Sequence, residues 1–251
     1  MTARRPALTR LELLAVAAVL AGTAGLAVPA VGKVRAAAAR ARCADNLRVL
    51  GHGVQQFQAG HGRFPSSVQN SGPQRSWAVM VLPWVGAEDV ARRYDYARHW
   101  CDPANAAAVG TQLPVLYCPA SPSADRTATG PVNLKYLTGR TERYAVTAAA
   151  CTDYSAVDEV KQDAYLYGLA VGRPVVRGYG VLKEDHFFRP ADVTDGLSVT
   201  VMVVESAGRP ELWRMGRRLA PDEVAAARKD RHVGSAPWAS RSNDFGLDGF
   251  D

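Results

Sequence analysis

The twenty-residue stretch from Leu13 to Gly32 contains no charged residue, and it constrains the chain more than any other feature. As a helix rising about 1.5 Å per residue, it would be about 30 Å long, the thickness of one bilayer core. Its eight Leu and Val residues would contribute only about −2 to −5 kcal/mol to insertion, because the other residues are mostly Ala and Gly. Small residues also let helices pack closely. The stretch predicts a helix that enters a membrane and packs against other helices.

A single carboxylate, Glu12, stands at the start of this stretch, and one proline, Pro29, lies inside it. A carboxylate near hydrocarbon is costly and needs a partner, so Glu12 is a candidate functional group. Pro29 removes a backbone hydrogen bond and predicts a kink in the helix.

Two other interpretations of the stretch compete with an assembly helix. A cleaved secretion signal has an apolar core of about 7 to 15 residues, whereas this run is longer and continues into another helical pattern. The other interpretation, a permanent membrane anchor that crosses the bilayer once, is also compatible with the sequence. Basic residues flank both ends and leave the orientation undecided; they are Arg4, Arg5 and Arg10 before the run, and Lys33, Arg35, Arg40 and Arg42 after it.

Apolar residues after the stretch recur at intervals of three and four, which predicts one buried stripe on a continuing helix. They are Cys43, Leu47, Leu50, Val54 and Phe57. Gly60, Gly62 and Pro65 predict the end of a helix of about fifty residues. Gly51 and Gly53 would each cost about 1 kcal/mol inside it, which suggests a soft point.

The remaining residues have an ordinary globular composition and no internal repeat. Short apolar runs predict strands, the last being the richest in Val; the runs are Pro114–Cys118, Tyr144–Ala149, Tyr179–Leu182 and Ser198–Glu205. Two segments predict short helices, Ala87–Arg93 and Pro221–Lys229. The expected fold class is α+β, with a long N-terminal helix against an antiparallel sheet and long loops.

The charges and cysteines narrow the class of protein further. The net charge is +6, but the basic residues are scattered, so we expect no nucleic-acid surface. Four cysteines lie far apart without a CxxC pair, which argues against a zinc site; they are Cys43, Cys101, Cys118 and Cys151. Outside the cytoplasm they permit two disulfides in three possible connectivities, and isolated buried thiols are the alternative.

No catalytic motif is present, and the five histidines are isolated, so we expect no enzyme and no cofactor. Glu184, Asp185 and His186 are better explained as a polar turn than as a metal site. Three other carboxylates are the candidates for a calcium site, although no loop motif groups them; they are Asp153, Asp192 and Asp195. Aromatic residues offer platforms for a ligand, and they are Trp77, Trp84, Trp100, Trp213, Trp238, Tyr94 and Tyr96.

Residues 7 to 14, Ala-Leu-Thr-Arg-Leu-Glu-Leu-Leu, resemble the type IV prepilin leader, whose usual form is Gly-Phe-Thr-Leu-Ile-Glu-Leu-Leu. The resemblance implies that a prepilin peptidase cleaves between Ala7 and Leu8 and methylates Leu8. It places Glu12 on the leader's carboxylate and Pro29 on the proline that kinks pilin helices. Ala7, Leu8 and Arg10 differ from the usual residues, and Ala7 predicts slow or absent cleavage.

The resemblance continues through the chain to a large bacterial pseudopilin-like family with a head domain of unknown function. The matching segments are Pro29–Val31, Cys43–Leu47, His61–Pro65, Leu82–Trp84, Leu116–Pro119, Asp192–Ser198 and Val203–Glu205. Such chains usually end in a His-Gly-Gly stretch and a further strand, so the C-terminus of this chain is expected to be shortened. The implied organisation is a leader at 1–7, an assembly helix at 8–33, a head-packed continuation at 34–62 and a head at 63–251.

The resemblance implies a pseudopilin-like structural subunit of a type II secretion or type IV pilus-like assembly. Its anchor would cross the cytoplasmic membrane once, with the N-terminus cytoplasmic and the head extracytoplasmic. Glu12 would pair with the freed amine of a neighbouring pilin-like subunit. Cys43 and Cys118 would pair, leaving Cys101 and Cys151 for a second bridge. The alternative is an anchored binding module for glycan or peptide ligands.

Overall fold

The computed structural model describes residues 9–121, 125–135, 141–160, 178–214, 217–220, 222–223, 236–240 and 243–247. Side chains at 24, 26–29, 135, 160, 214 and 244–247 are outside this description. The described elements are a long helix, a layer of short helices and several small sheets. The α+β class is therefore confirmed.

Helix α1 (Arg10–His61) is continuous over 52 residues, which confirms the predicted length. Thr9 caps its N-terminus, and Gly62 ends it in the left-handed conformation with φ of 70°. Glycine adopts that conformation without a steric penalty, so it is a common end to a helix. The helix passes the position of Pro29 without interruption.

The two halves of α1 have different surroundings. In the second half, the predicted stripe is buried at Cys43, Leu50, Val54 and Phe57. In the first half, the apolar residues are exposed; Leu11, Leu13, Leu14, Val16, Val19 and Leu20 are each more than 50 % exposed. Among the side chains that the structure describes, no helix has both the length and the apolar content needed to cross a membrane.

A layer of short elements packs against the second half of α1. Strands β1 (Val68–Gln69) and β2 (Arg75–Ser76) form a small antiparallel hairpin. Helices α2 (Trp77–Val81), α3 (Glu88–Arg93) and α4 (Ala106–Val109) follow. The prediction of a helix at Ala87–Arg93 is confirmed.

The strand predicted at Pro114–Cys118 is wrong, because Pro114–Leu116 forms a 3₁₀ turn. Proline has a fixed φ and no N–H, so it suits the first position of a helical turn better than a paired strand. Other 3₁₀ turns lie at Leu82–Trp84 and Pro103–Asn105, and both contain a proline near the start.

The longest paired strands are β3 (Thr127–Lys135) and β4 (Thr141–Ala150), an antiparallel pair with an irregularity between Ala128 and Gly130. The strand predicted at Tyr144–Ala149 lies inside β4. A second sheet is organised around β5 (Tyr154–Val160). It pairs antiparallel with β6 (Gly178–Tyr179) and β7 (Val203–Glu205) and parallel with β10 (Asp244–Leu247).

Two predicted strands are shorter than expected. Only Tyr179 of Tyr179–Leu182 is in β6, and only 203–205 of Ser198–Glu205 are in β7. Val199 and Val201 are 73 % and 57 % exposed, so the Val-rich composition does not reflect burial there. The helix predicted at Pro221–Lys229 lies outside the described residues except at 222–223. Strands β8 (Trp213–Arg214) and β9 (Arg217–Arg218) form a separate small hairpin.

Candidate functional site

The exposed N-terminal end of α1 carries the first candidate site. The Glu12 carboxylate accepts hydrogen bonds from the backbone N–H of Thr9 at 2.8 Å and from its hydroxyl at 2.9 Å. The Glu12 N–H donates to the Thr9 hydroxyl at 3.3 Å, which completes a capping box. Both bonds to the carboxylate use Oε2. Ala7 and Leu8, the predicted cleavage and methylation positions, lie outside the described residues, and the kink at Pro29 stays a prediction.

A disulfide ties α1 to the head. Cys43 and Cys118 are bonded across a sequence separation of 75 residues, with their Cα atoms 5.0 Å apart. The predicted pairing is therefore present. Asn46, one turn along the helix, donates to the Tyr117 carbonyl at 2.8 Å. The Tyr154 hydroxyl donates to the Cys43 carbonyl at 3.3 Å. These polar contacts fix the helix beside the disulfide.

The second disulfide expected between Cys101 and Cys151 is wrong, because both thiols are free and buried. Cys101 follows Trp100 in the helical layer. Cys151 lies just beyond β4, and its backbone forms an isolated antiparallel β-bridge with Pro237. Burial raises the pKa of Cys101 to about 12 and that of Cys151 to about 11. The thiolate is the reactive form, so neither is poised as a nucleophile.

Gly53 lets the helix approach the head closely. A Cβ at this position would lie 2.5 Å from the Val85 Cγ1 atom, too close for any real contact. At Gly51 the same construction meets nothing within 4 Å. The sequence suggested the same role for both glycines, a soft point, but only Gly53 is needed for packing.

A buried ion pair lies directly behind the disulfide. Arg126 donates from Nη2 to Asp153 Oδ1 at 2.5 Å, and the Asp153 side chain is fully buried. The same carboxylate accepts from the N–H groups of Cys118 and Gly208 at 2.9 and 2.8 Å. This pair could not be predicted from the sequence, since the two residues are 27 positions apart and follow no motif.

The acidic residues considered for calcium do not come together. Asp153 is used by Arg126, and Asp192 accepts from Arg189 at 3.2 Å. Asp185 belongs to the separate polar turn predicted at Glu184–His186, and its Oδ1 accepts from the N–H groups of Asn70 and Ser71. Within the described part of the chain, one trio has metal-ligand spacing, Cys43, Cys118 and Glu205. Its two sulfurs are already joined to each other.

A surface cavity of about 330 Å³ lies where the C-terminal end of α1 meets the β1–β2 hairpin, and we call it the aromatic groove. Its lining residues are Phe57, His61, Gln69, Arg75, Met80, Pro83, Trp84, Tyr96 and Phe187. The rings of Phe57 and His61 stack at 4.1 Å between centroids. Trp84 meets the Phe57 ring edge-on at 5.8 Å.

The groove collects two of the aromatic residues that the sequence offered as platforms, Trp84 and Tyr96. Tyr96 is 40 % exposed. Trp213 is exposed at a different position, beside Gly208. The others are core residues, and this explains their presence without a ligand; they are Trp77, Trp100, Trp238 and Tyr94.

Arg75 is the one charged residue that is both buried and part of the groove lining. It is 8 % exposed, and it donates to the carbonyls of Pro73 at 3.1 Å and Tyr96 at 2.7 Å. Its guanidinium also lies 5.6 Å from the centre of the Tyr96 ring. Among the described residues, no carboxylate forms an ion pair with it. Gln69 is its backbone partner across the hairpin and also lines the groove, and the Gln69 Nε2 donates to the Ser71 carbonyl at 3.0 Å.

A second cavity, of about 410 Å³, lies between β4 and the segment that contains α4. Its walls are mostly small residues, including Ala106, Gly110 and Ala148. Trp100, which is 3 % exposed, lines this cavity, and its buried indole N–H has no hydrogen-bond partner among the described residues.

These features define a class of protein with one long helix and an α+β head. The first half of the helix is apolar and exposed, and a disulfide ties the second half to the head. Residues 32–247 match the model of a family described as a protein of unknown function, DUF1559. The chain belongs to this family. No curated protein and no solved structure gave a significant match.

Proposed function

We propose that this chain is a membrane-anchored, pseudopilin-like structural subunit of a type II secretion or type IV pilus-like assembly, without catalytic activity. The observation that carries the proposal is the contrast between the halves of α1. One half is tethered to the head by the Cys43–Cys118 disulfide. The other presents Leu13, Val16 and Leu20, each more than half exposed. Large exposed apolar surfaces usually mark a contact with a partner or a membrane.

The proposed location places the first half of α1 in the cytoplasmic membrane and the head outside the cytoplasm. The twenty uncharged residues from Leu13 to Gly32 support the membrane half, because about twenty apolar residues suffice to span a bilayer core. The disulfide supports the position of the head, since such bonds persist in oxidising compartments.

In the proposed assembly, Glu12 pairs with the N-terminal amine of a neighbouring subunit, which prepilin peptidase frees at Leu8. The pairing neutralises two charges in an apolar environment, where an isolated ion is costly. Oε2 of Glu12 accepts both capping bonds from Thr9, and Oε1 has no hydrogen bond within the described residues. Oε1 is therefore available to the amine of the neighbouring subunit.

The test compares two substitutions at Glu12. Glu12→Ala removes the cap and the charge, whereas Glu12→Gln keeps an acceptor for the cap but removes the charge. We expect both variants to enter the membrane fraction at the wild-type level and to lose cross-linked oligomers. The matched control is Glu88→Gln, which replaces an exposed carboxylate in the first turn of α3 by a carboxamide.

Oligomer yields at the wild-type level in Glu12→Gln would refute charge pairing as the basis of assembly. Loss of the protein from the membrane fraction in the same variant would instead assign Glu12 a role in insertion.

A second proposed function, an anchored binding module for glycan or peptide ligands, is favoured by the aromatic groove. Trp84 and Tyr96 lie together there although they are separated in sequence. In this alternative the helix serves only as an anchor, so the chain extracted in detergent would be monomeric and would retain its leader.

A further inference from the structure

We propose that the aromatic groove binds an acidic saccharide, with the carboxylate of a uronic acid residue held by Arg75 and Gln69. The inference rests on the binding-module alternative and gives it a ligand class. It concerns a surface of the head at the far end of α1 from Glu12, so it does not depend on whether the chain assembles.

The charge of Arg75 is the first argument. A buried charge is costly unless it is paired. Arg126, which is equally buried, has Asp153 as its counter-ion. Arg75 has only the carbonyls of Pro73 and Tyr96 and the face of one ring, with no ion pair among the described residues. An anionic ligand in the groove would supply the missing carboxylate.

The arrangement of donors is the second argument. Arg75 uses Nε and Nη2 in its described hydrogen bonds, which leaves Nη1 for a ligand. A guanidinium binds a carboxylate through two parallel N–H donors where its geometry permits. Gln69, across the hairpin from Arg75, adds an amide that donates one N–H to the Ser71 carbonyl and keeps its oxygen and second N–H for hydroxyl groups of the ligand.

The apolar part of the groove is the third argument. The same groove is also lined by the rings of Trp84, Tyr96 and Phe57. A pyranose ring has one face of C–H groups and an edge of hydroxyls, so it suits a site with rings on one side and donors on the other. A uronic acid adds the carboxylate that Arg75 lacks.

The hairpin edges disfavour a peptide as the occupant. A peptide that adds to a sheet needs a free strand edge. The Val68 carbonyl already accepts from the Asp185 N–H at 2.9 Å, and the Ser76 N–H donates to the Ala239 carbonyl at 3.2 Å. The outer edges of β1 and β2 are therefore occupied, and the groove offers side chains rather than backbone.

The experiment measures binding to the purified full-length chain by titration calorimetry. The probes are an oligogalacturonate, its uncharged methyl ester and an acidic peptide of Glu and Tyr residues. We expect saturable binding of the oligogalacturonate alone. Arg75→Gln should weaken it about tenfold or more, since a charge-assisted contact is lost. Arg92→Gln, at an exposed arginine of α3, is the matched control and should leave it unchanged.

A second variant guards against misfolding of the Arg75 substitution. Tyr96→Ala removes an exposed ring but keeps the carbonyl that Arg75 contacts, and it should also weaken binding about tenfold. Absence of saturable binding, equal affinity for the methyl ester, preference for the peptide, or equal affinity in Arg75→Gln and Arg92→Gln would each overturn the proposal. Oligomer yields in Arg75→Gln should stay at the wild-type level, so failure here is distinct from failure of the assembly proposal.

Discussion

At the scale of single residues, buried charge divides the head into a structural part and a candidate binding part. Arg126 has a carboxylate partner, and that partner also receives the backbone N–H of Cys118. Arg75 has only neutral partners and lines an open groove. The first arrangement explains stability, and the second leaves a charge that a ligand can compensate.

The buried pair should be important for stability. Asp153→Asn keeps the shape of the side chain but leaves the Arg126 charge unpaired, so we expect a loss of about 3–5 kcal/mol in the free energy of unfolding. Asp89→Asn, which alters an exposed aspartate–arginine pair in α3, should cost less than about 1 kcal/mol. Denaturant titration of both variants checks this. Equal effects would show that burial does not matter here.

The Cys43–Cys118 disulfide closes a loop with a sequence separation of 75 residues. On the chain-entropy account, a loop of this length contributes about 4.5 kcal/mol, because the cross-link restricts the unfolded chain. Reduction should therefore lower the unfolding midpoint to that of the Cys43→Ser, Cys118→Ser double variant. Urea titrations with and without reductant make the comparison, and coincident curves for the oxidised and reduced wild type would contradict it.

His99 should make stability depend on pH. Its Nδ1 accepts from the Gln74 N–H at 3.0 Å, and burial is the main cause that lowers its pKa from 6.5, against an opposing effect of Glu142. Because the folded pKa is the lower one, the unfolded chain takes up the proton first as the pH falls. Stability should be full above the ordinary pKa and should decline below it. This loss of stability at acidic pH should be absent in His99→Asn. If the loss persists in that variant, another group causes it.

Which residues form the candidate sites was the hardest feature to predict from the sequence. Leader spacing singled out Glu12, and the family resemblance singled out the Cys43–Cys118 pair. Nothing in the spacing of Gln69, Arg75 and Tyr96 indicates that they share a groove, since the hairpin and the following turns bring them together. The resemblance also implies a bridge between Cys101 and Cys151, whereas both are buried free thiols, the alternative that the cysteine pattern left open.

At the scale of elements, α1 was the most predictable because its signals agree. The uncharged stretch, the apolar stripe that follows it and the glycines at its end all favour one long helix. The strand predicted at Pro114–Cys118 is wrong, and the one predicted at Ser198–Glu205 is limited to 203–205, for two different reasons. Pro114 starts a helical turn, and the Val residues near 200 are exposed rather than paired.

Gly51 and Gly53 of α1 distinguish the effect of helix propensity on stability from the effect of packing. Gly51→Ala should stabilise the protein by up to about 1 kcal/mol, because alanine is the better helix former and nothing lies within 4 Å. Gly53→Ala should destabilise it by about 1–3 kcal/mol, because the new methyl group meets the stiff, buried Val85 side chain. Thermal unfolding of both variants compares them. Stabilisation of similar size at both positions would mean that α1 does not pack on Val85 as described.

At the scale of the whole molecule, the head and the helix could be predicted to different extents. Composition and resemblance indicated a helix with a globular head, and the family match over residues 32–247 covers that head. The sheet arrangement could not be predicted, because β5 draws partners from far along the chain, including the parallel strand β10. Such long-range pairing depends on packing rather than on any local signal.

The central claim is that α1 reaches a membrane assembly through the prepilin route. N-terminal sequencing and mass analysis of the chain recovered from membranes tests it most directly. The proposal predicts a population that begins at Leu8 with a methylated amine, formed slowly because Ala7 replaces the usual Gly. Recovery of chains that all begin at Met1 would contradict it and would leave an anchored head.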